Sequence, residues 1–211
     1  MQRVVPAILT DNKDAFVKMV KRIEKFAPFI QIDVMDGKFV PSMSVTPDDV
    51  ASVTTTAFAE AHLMVEEPLE WLDAFETFGA SRILVHYEIK KKNFERIFAE
   101  VRSRGHELGI VVNPDTEINE FEYLIDKVDQ VLFMSVYPGY YGAEFVPKVI
   151  DKIKKFKERF PEMQTAIDGG VNRSNIRSLA ELGLDLLCVG SAIGKAEDPK
   201  AAWCELSEMI K

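Results

Sequence analysis

One feature constrains this chain more than any other. Short apolar runs, each trailed by a helical pattern, recur roughly every 25 residues along it. The runs are Val4–Leu9, Phe29–Val34, Ala59–Met64, Ile83–His86, Leu108–Val112, Val131–Ser135, Thr165–Asp168 and Leu186–Gly190. They are short and rich in branched aliphatic residues, as strands buried on both faces are. The segments between them keep helical spacing: from about Asp11 onward, Phe16, Met19, Val20, Ile23 and Phe26 fall on one stripe. Pro47, Pro68 and Pro199 stand at helix openings, where a missing N–H is no loss, and Gly79, Gly105 and Gly183 close helices just before a strand.

Eight similar strand–helix units without a linker predict a single (β/α)8 TIM barrel over residues 1–211. A doubly wound open sheet is the competitor, but it is expected to carry a glycine-rich first turn, and VPAILTDN has none. A hydrophobic content of 47% suffices for a well-buried core. No apolar run approaches the length of a membrane span, and MQRVVPAILTDNK lacks the form of a secretory signal, so a cytoplasmic protein is expected. Cys188 and Cys204 fit no metal-ligand spacing and read as buried thiols in a reducing compartment. A net charge of -8 argues against nucleic acid and membrane as partners. That leaves a small molecule, with a homo-oligomer as the expected assembly. An anionic ligand would have to be attracted locally, through backbone N–H groups.

A barrel places its chemistry at the C-terminal ends of its strands. Asp33 and Asp36, His62 and Met64, His86 and Glu88, Asn113, Ser135, Asp168, and Gly190 with Ser191 all fall there. In FIQIDVMDGKFVP, Gln31, Asp33 and Met35 alternate with aliphatic residues and so share a strand face. His62 shares one with Met64, and Asp168 with Gln164 and Ala166, so Asp33, His62 and Asp168 can point into one cavity. Two carboxylates on opposite faces of one carbon can exchange its proton, provided a neighbouring carbonyl acidifies that carbon and something stabilises the enediolate. The glycine turns after the last three strands carry Gly139 and Gly142, Gly169 and Gly170, and Gly190 with Ser191. They suit a phosphate, because glycine lets backbone N–H groups approach an anion. Tyr140 and Tyr141 read either as a lid or as surface cover. Asp36 with Gly37 reads as a turn.

The stretches IDVMDGKFVPSMS, HLMVEEPLEWL, VVNPDT, FMSVYPGYYGAEFVPKVIDKIKKF, AIDGGVNRSN and VGSAI resemble the ribulose-phosphate 3-epimerase family over nearly the whole chain. The resemblance implies interconversion of ribulose 5-phosphate and xylulose 5-phosphate. It also implies a divalent ion (zinc, manganese or iron) held by two histidines and two aspartates. By position, Asp33 resembles the proton acceptor and a metal ligand, Asp168 the proton donor and a metal ligand, and His62 a ligand against the substrate. Gly139, Gly142, Gly169, Gly170, Gly190 and Ser191 fall on the family's phosphate turns.

The chain departs from the family in three places. Gln31 stands where the family has its other ligand histidine, and Ala7 where it has a serine. Tyr137, Tyr141 and Ala143 change the loop after the sixth strand, and their rings are expected to narrow the mouth. Because a Gln amide oxygen is a weak ligand, two arrangements stay open: an ion on Asp33, His62 and Asp168 with water completing its shell, or an acid pair that works without one. Two other functions also stay open. One is a phosphosugar-binding homologue without epimerase activity. The other is a different enediolate enzyme, against which the absence of Asp-x-Lys at His62-Leu63-Met64 weighs.

Overall fold

The computed structural model describes residues 2–90, 93–139 and 143–211. Its strands are β1 (Arg3–Ile8), β2 (Phe29–Met35), β3 (Phe58–Met64), β4 (Arg82–His86), β5 (Glu107–Val112), β6 (Gln130–Met134), β7 (Gln164–Asp168) and β8 (Leu186–Val189). They form a closed parallel barrel in chain order, with β8 paired back to β1. The (β/α)8 expectation is met. Leu9, Ser135 and Gly190, read as strand ends, fall in loops instead. Ser135 illustrates the cause: its hydroxyl lies within hydrogen-bond reach of the carbonyls of Asp168 and Gly169 and donates to one of them at a time, tying the loop after β6 to the end of β7 where the ladder stops.

The helical signals act as their chemistry dictates. Asn12 caps helix Lys13–Ile23 by accepting from the Ala15 N–H, and that helix buries Phe16, Val20 and Ile23. Thr46 and Asp49 close a reciprocal capping box over Pro47–Val50. Pro68 opens a 3-10 turn, Pro68–Trp71, and the α-helix begins at Leu72. Gly79 ends that helix with φ +90°, a conformation suited to glycine. Cys204, read as buried, is exposed because it falls on the outer side of the last helix, Pro199–Met209.

Alternation along the strands separates two cores. Ile30, Ile32 and Val34 face outward under the helices, whereas Val5, Leu84, Val111, Leu132, Ala166 and Cys188 fill the barrel. Below them Phe29 and Phe58 stack at 4.2 Å, with the Arg82 guanidinium 5.2 Å from the Phe58 ring centre. Arg82 also donates to Glu60, Glu107 and Gln130. Gly109 keeps this packing feasible, since a Cβ there would lie 2.4 Å from Leu84 Cδ2.

Burial pushes the Glu60 carboxyl up from its ordinary 4.5 to about 7, with Arg82 and Gln130 opposing the shift. Folded protein therefore binds this proton more tightly than the unfolded chain does. The contribution of Glu60 to stability is most favourable below about 4.5 and is lost as pH rises through about 7. Denaturation midpoints measured across that window should fall less steeply for Glu60→Gln than for the parent; parallel curves would refute this assignment.

Candidate active site

β2, β3 and β7 deliver three titratable side chains to the upper end of the barrel. Register makes the first contact unavoidable, because Asp33 and His62 are ladder partners on neighbouring strands. Asp33 and His62 are buried, and Asp168 nearly so. His62 Nδ1 lies 2.8 Å from Asp33 Oδ1 and 3.4 Å from Asp168 Oδ2. Gln31 joins them from one pleat below: its Nε2 donates to Asp33 Oδ1 at 2.8 Å and to Asp168 Oδ2 at 2.7 Å. The sequence parity that placed Asp33, His62 and Asp168 in one cavity is reproduced side chain by side chain.

The far side of the imidazole contacts residues that sequence reading left unassigned. His62 Nε2 is 3.0 Å from His86 Nε2, and His86 Nδ1 is 3.2 Å from Glu88 Oε2. Glu88 in turn accepts from the Asn113 N–H and the Thr116 hydroxyl. Burial drives the His86 pKa down to about 4, against the pull of Glu88, so this ring is neutral. Burial opposes charge on His62 too, but hydrogen bonds to Asp168 and Asp33 outweigh it and raise its pKa to about 10. One tautomer then satisfies every contact: His86 donates through Nδ1 to Glu88 and accepts at Nε2 from His62. The Asp33 carboxyl is held above its usual range by burial and by the neighbouring Asp168 charge, with His62 and Gln31 opposing. The available signal for His86 was inward parity with Leu84 and Arg82 along β4.

A cavity of about 570 Å³ opens over the acids, a size usual for small-molecule sites. Gly139, Gly169, Gly170, Gly190 and Ser191 line it together with Asp33, His62 and Asp168. Gly139, Gly169 and Gly170 have positive φ, and a Cβ on Gly169 would sit 2.6 Å from Val136 Cγ2. Gly142, Tyr140 and Tyr141 lie outside the described residues. Tyr137 does not narrow the mouth as expected; it is exposed, and its hydroxyl donates to Asp115. Ala7 and Ala143 do line the cavity, as does Lys195, a cation that the motifs did not single out. Asp36 shapes the β2 loop, accepting from the N–H groups of Lys38, Phe39 and Glu66.

Asp33, His62 and Asp168 each offer one ligand atom, all within 4.8 Å of one another. Two carboxylates and an imidazole suit a zinc, manganese or iron ion, so these residues fit a divalent cation. Gln31 meets them through its amide nitrogen, and its Oε1 is buried without a hydrogen-bond partner among the described residues.

Comparisons with known proteins agree with the barrel. The sequence pattern of the Ribulose-phosphate 3 epimerase family matches residues 3–194. Ribulose-phosphate 3-epimerase of Bacillus subtilis is 36% identical, over 98% of this chain and 98% of its own. The Helicobacter pylori (strain J99) ribulose-phosphate 3-epimerase is 35% identical, over 95% and 94%. The solved structure of KGPDC from Streptococcus mutans superimposes with a TM-score of 0.77, covering 99% of this chain and 97% of that one, at 12% identity, a likeness of fold alone. Sequence match and barrel together place the chain in the ribulose-phosphate 3-epimerase family.

Proposed function

We propose that this protein is a sugar-phosphate 3-epimerase that interconverts ribulose 5-phosphate and xylulose 5-phosphate by two-base proton transfer. The observation that carries the reading is the acid pair: Asp33 on β2 and Asp168 on β7, three strand steps apart around the ring, meet over one cavity. Asp33 takes the proton from the third carbon on one face of the sugar, and Asp168 returns one to the other face. His62 holds the Asp33 carboxylate through Nδ1 and is held in turn by His86 and Glu88. Desolvation around Asp33 favours its protonated form, which suits a carboxylate asked to remove a weakly acidic C–H proton. A divalent ion on Asp33, His62 and Asp168, of the zinc, manganese or iron class, supplies positive charge for the enediolate oxygens when bound.

The phosphate belongs to the glycine side of the cavity, at Gly139, Gly169, Gly170, Gly190 and Ser191. Lys195 adds positive charge there in a chain of net charge -8. Loss of catalysis in a binding-only homologue is not favoured, because both acids are present and paired. We also place the protein in the cytoplasm, where the free thiols of Cys188 and Cys204 would stay reduced; no helix among the described residues is long and apolar enough to cross a membrane. Incubation with ribulose 5-phosphate in deuterated water should yield xylulose 5-phosphate labelled at the third carbon. Absence of both conversion and exchange would reject the reading.

A further inference from the structure

Gln31 makes contacts that neither proton transfer nor the set of ligand atoms requires. It lies fully buried on the inward face of β2, beside Ala7 of β1 and Glu60 of β3 in the ladder. A primary amide nitrogen carries two N–H groups, and here Asp33 Oδ1 and Asp168 Oδ2 accept them at 2.8 and 2.7 Å. The same nitrogen is 3.5 Å from His62 Nδ1. The amide nitrogen thus faces the same three side chains that would grip a cation. Between two carboxylates only this orientation works without an ion, since the reversed amide would set a third acceptor against two others. It leaves Oε1 buried and, among the described residues, unpartnered, a desolvation penalty that two hydrogen bonds to carboxyl oxygens offset.

We propose that the Gln31 amide is a resident cross-brace that takes a cation's place between Asp33 and Asp168, so that a divalent ion and this amide compete for the same carboxylate oxygens and the acid pair stays assembled without an ion. An ion binds only after both amide hydrogen bonds break and the side-chain amide turns over to present Oε1. Ion affinity is lowered because those bonds must be given up and because an amide oxygen is the weaker ligand. Assembly of the site is, in return, independent of metal supply. The inference rests on the assignment of Asp33, His62 and Asp168 as the cation set made above, and its readouts do not require turnover.

The test uses the parent protein, Gln31→Leu and Gln31→His, each dialysed against EDTA and then titrated with Mn²⁺. Bound metal is counted by elemental analysis, Mn²⁺ affinity by calorimetry, and Tm by scanning calorimetry. The parent should hold much less than one equivalent of metal after EDTA and melt at the same temperature with and without chelator. Gln31→Leu should melt several degrees lower in EDTA and recover in Mn²⁺, a rescue that a packing defect would not show. Gln31→His should bind Mn²⁺ at least tenfold more tightly than the parent and become sensitive to EDTA, which keeps the test decisive if the leucine variant does not fold. A parent that keeps a full equivalent through EDTA, or whose Tm drops in EDTA as far as that of Gln31→His, would overturn the cross-brace. Failure of the epimerase reading shows separately, as absent turnover with these metal and melting results intact.

Discussion

Replacing either acid by its amide, Asp33→Asn or Asp168→Asn, is expected to lower kcat for 3-epimerisation by about 10²–10⁴-fold, the usual worth of a positioned general acid or base. The two variants should not fail in the same way. Each retains one acid on one face of the sugar, so each should still wash solvent deuterium into one epimer while converting little of it to the other. A double variant should lose exchange from both sides. Folding is not expected to suffer, because the Asp33 carboxyl is destabilised as an anion by burial and by the adjacent Asp168 charge, and a neutral amide relieves that strain. Steady-state rates, deuterium exchange followed by proton NMR, and Tm together separate chemistry from folding. A loss below tenfold in both single variants would remove the two-base mechanism.

Arg82→Met should produce the largest loss of stability, about 3–5 kcal/mol, because it strands a buried acid. Arg82 is 4% exposed, and its guanidinium donates to Glu60, Glu107 and Gln130 while lying over the Phe29 and Phe58 rings. Glu60 is wholly buried, and among the described residues Arg82 is its salt-bridge partner. Methionine retains the stem but leaves that carboxyl without a counter-charge. Adding Glu60→Gln to Arg82→Met should restore part of the loss, giving a coupling energy of opposite sign to the single effects. Urea titration at pH 8, where Glu60 is mainly ionised, is the measurement. A loss under about 1 kcal/mol would show that water or a neighbouring donor already compensates Glu60.

Most of the site was legible because it follows strand parity. Asp33, His62 and Asp168 each occupy an inward position near the end of a strand, and once the barrel is read from eight similar units they have to converge. The barrel floor was not legible in the same way. Glu60, Arg82 and Gln130 look like solvated polar residues when taken singly, and only the register of β3, β4, β5 and β6 shows that they satisfy one another. Lys152 was hidden for a related reason. It sits on an amphipathic helix, yet its ammonium donates to the carbonyls of Asn113, Pro114 and Thr116. Tyr137 was assigned to the mouth because its loop lacks a periodicity that could fix a side-chain direction, and Asp115 draws it outward. Gln31 was noticed in the sequence as a weak ligand. That it would meet the acids with its nitrogen depends on amide orientation, which hydrogen-bond partners set and residue identity does not.

The closed floor of the barrel also bears on timing. Phe29, Phe58 and Arg82, with the aliphatic layer above them, pack the barrel below the acids, and the cavity that would take the sugar opens above. On the proposed mechanism a two-base turnover would end with Asp33 protonated and Asp168 stripped, the inverse of the state in which it began. The protein that releases xylulose 5-phosphate is therefore ready for the reverse reaction and not for another molecule of ribulose 5-phosphate. Restoring the starting form needs proton exchange through the emptied mouth, and at high substrate concentration that recovery of the free enzyme becomes a kinetic step in its own right.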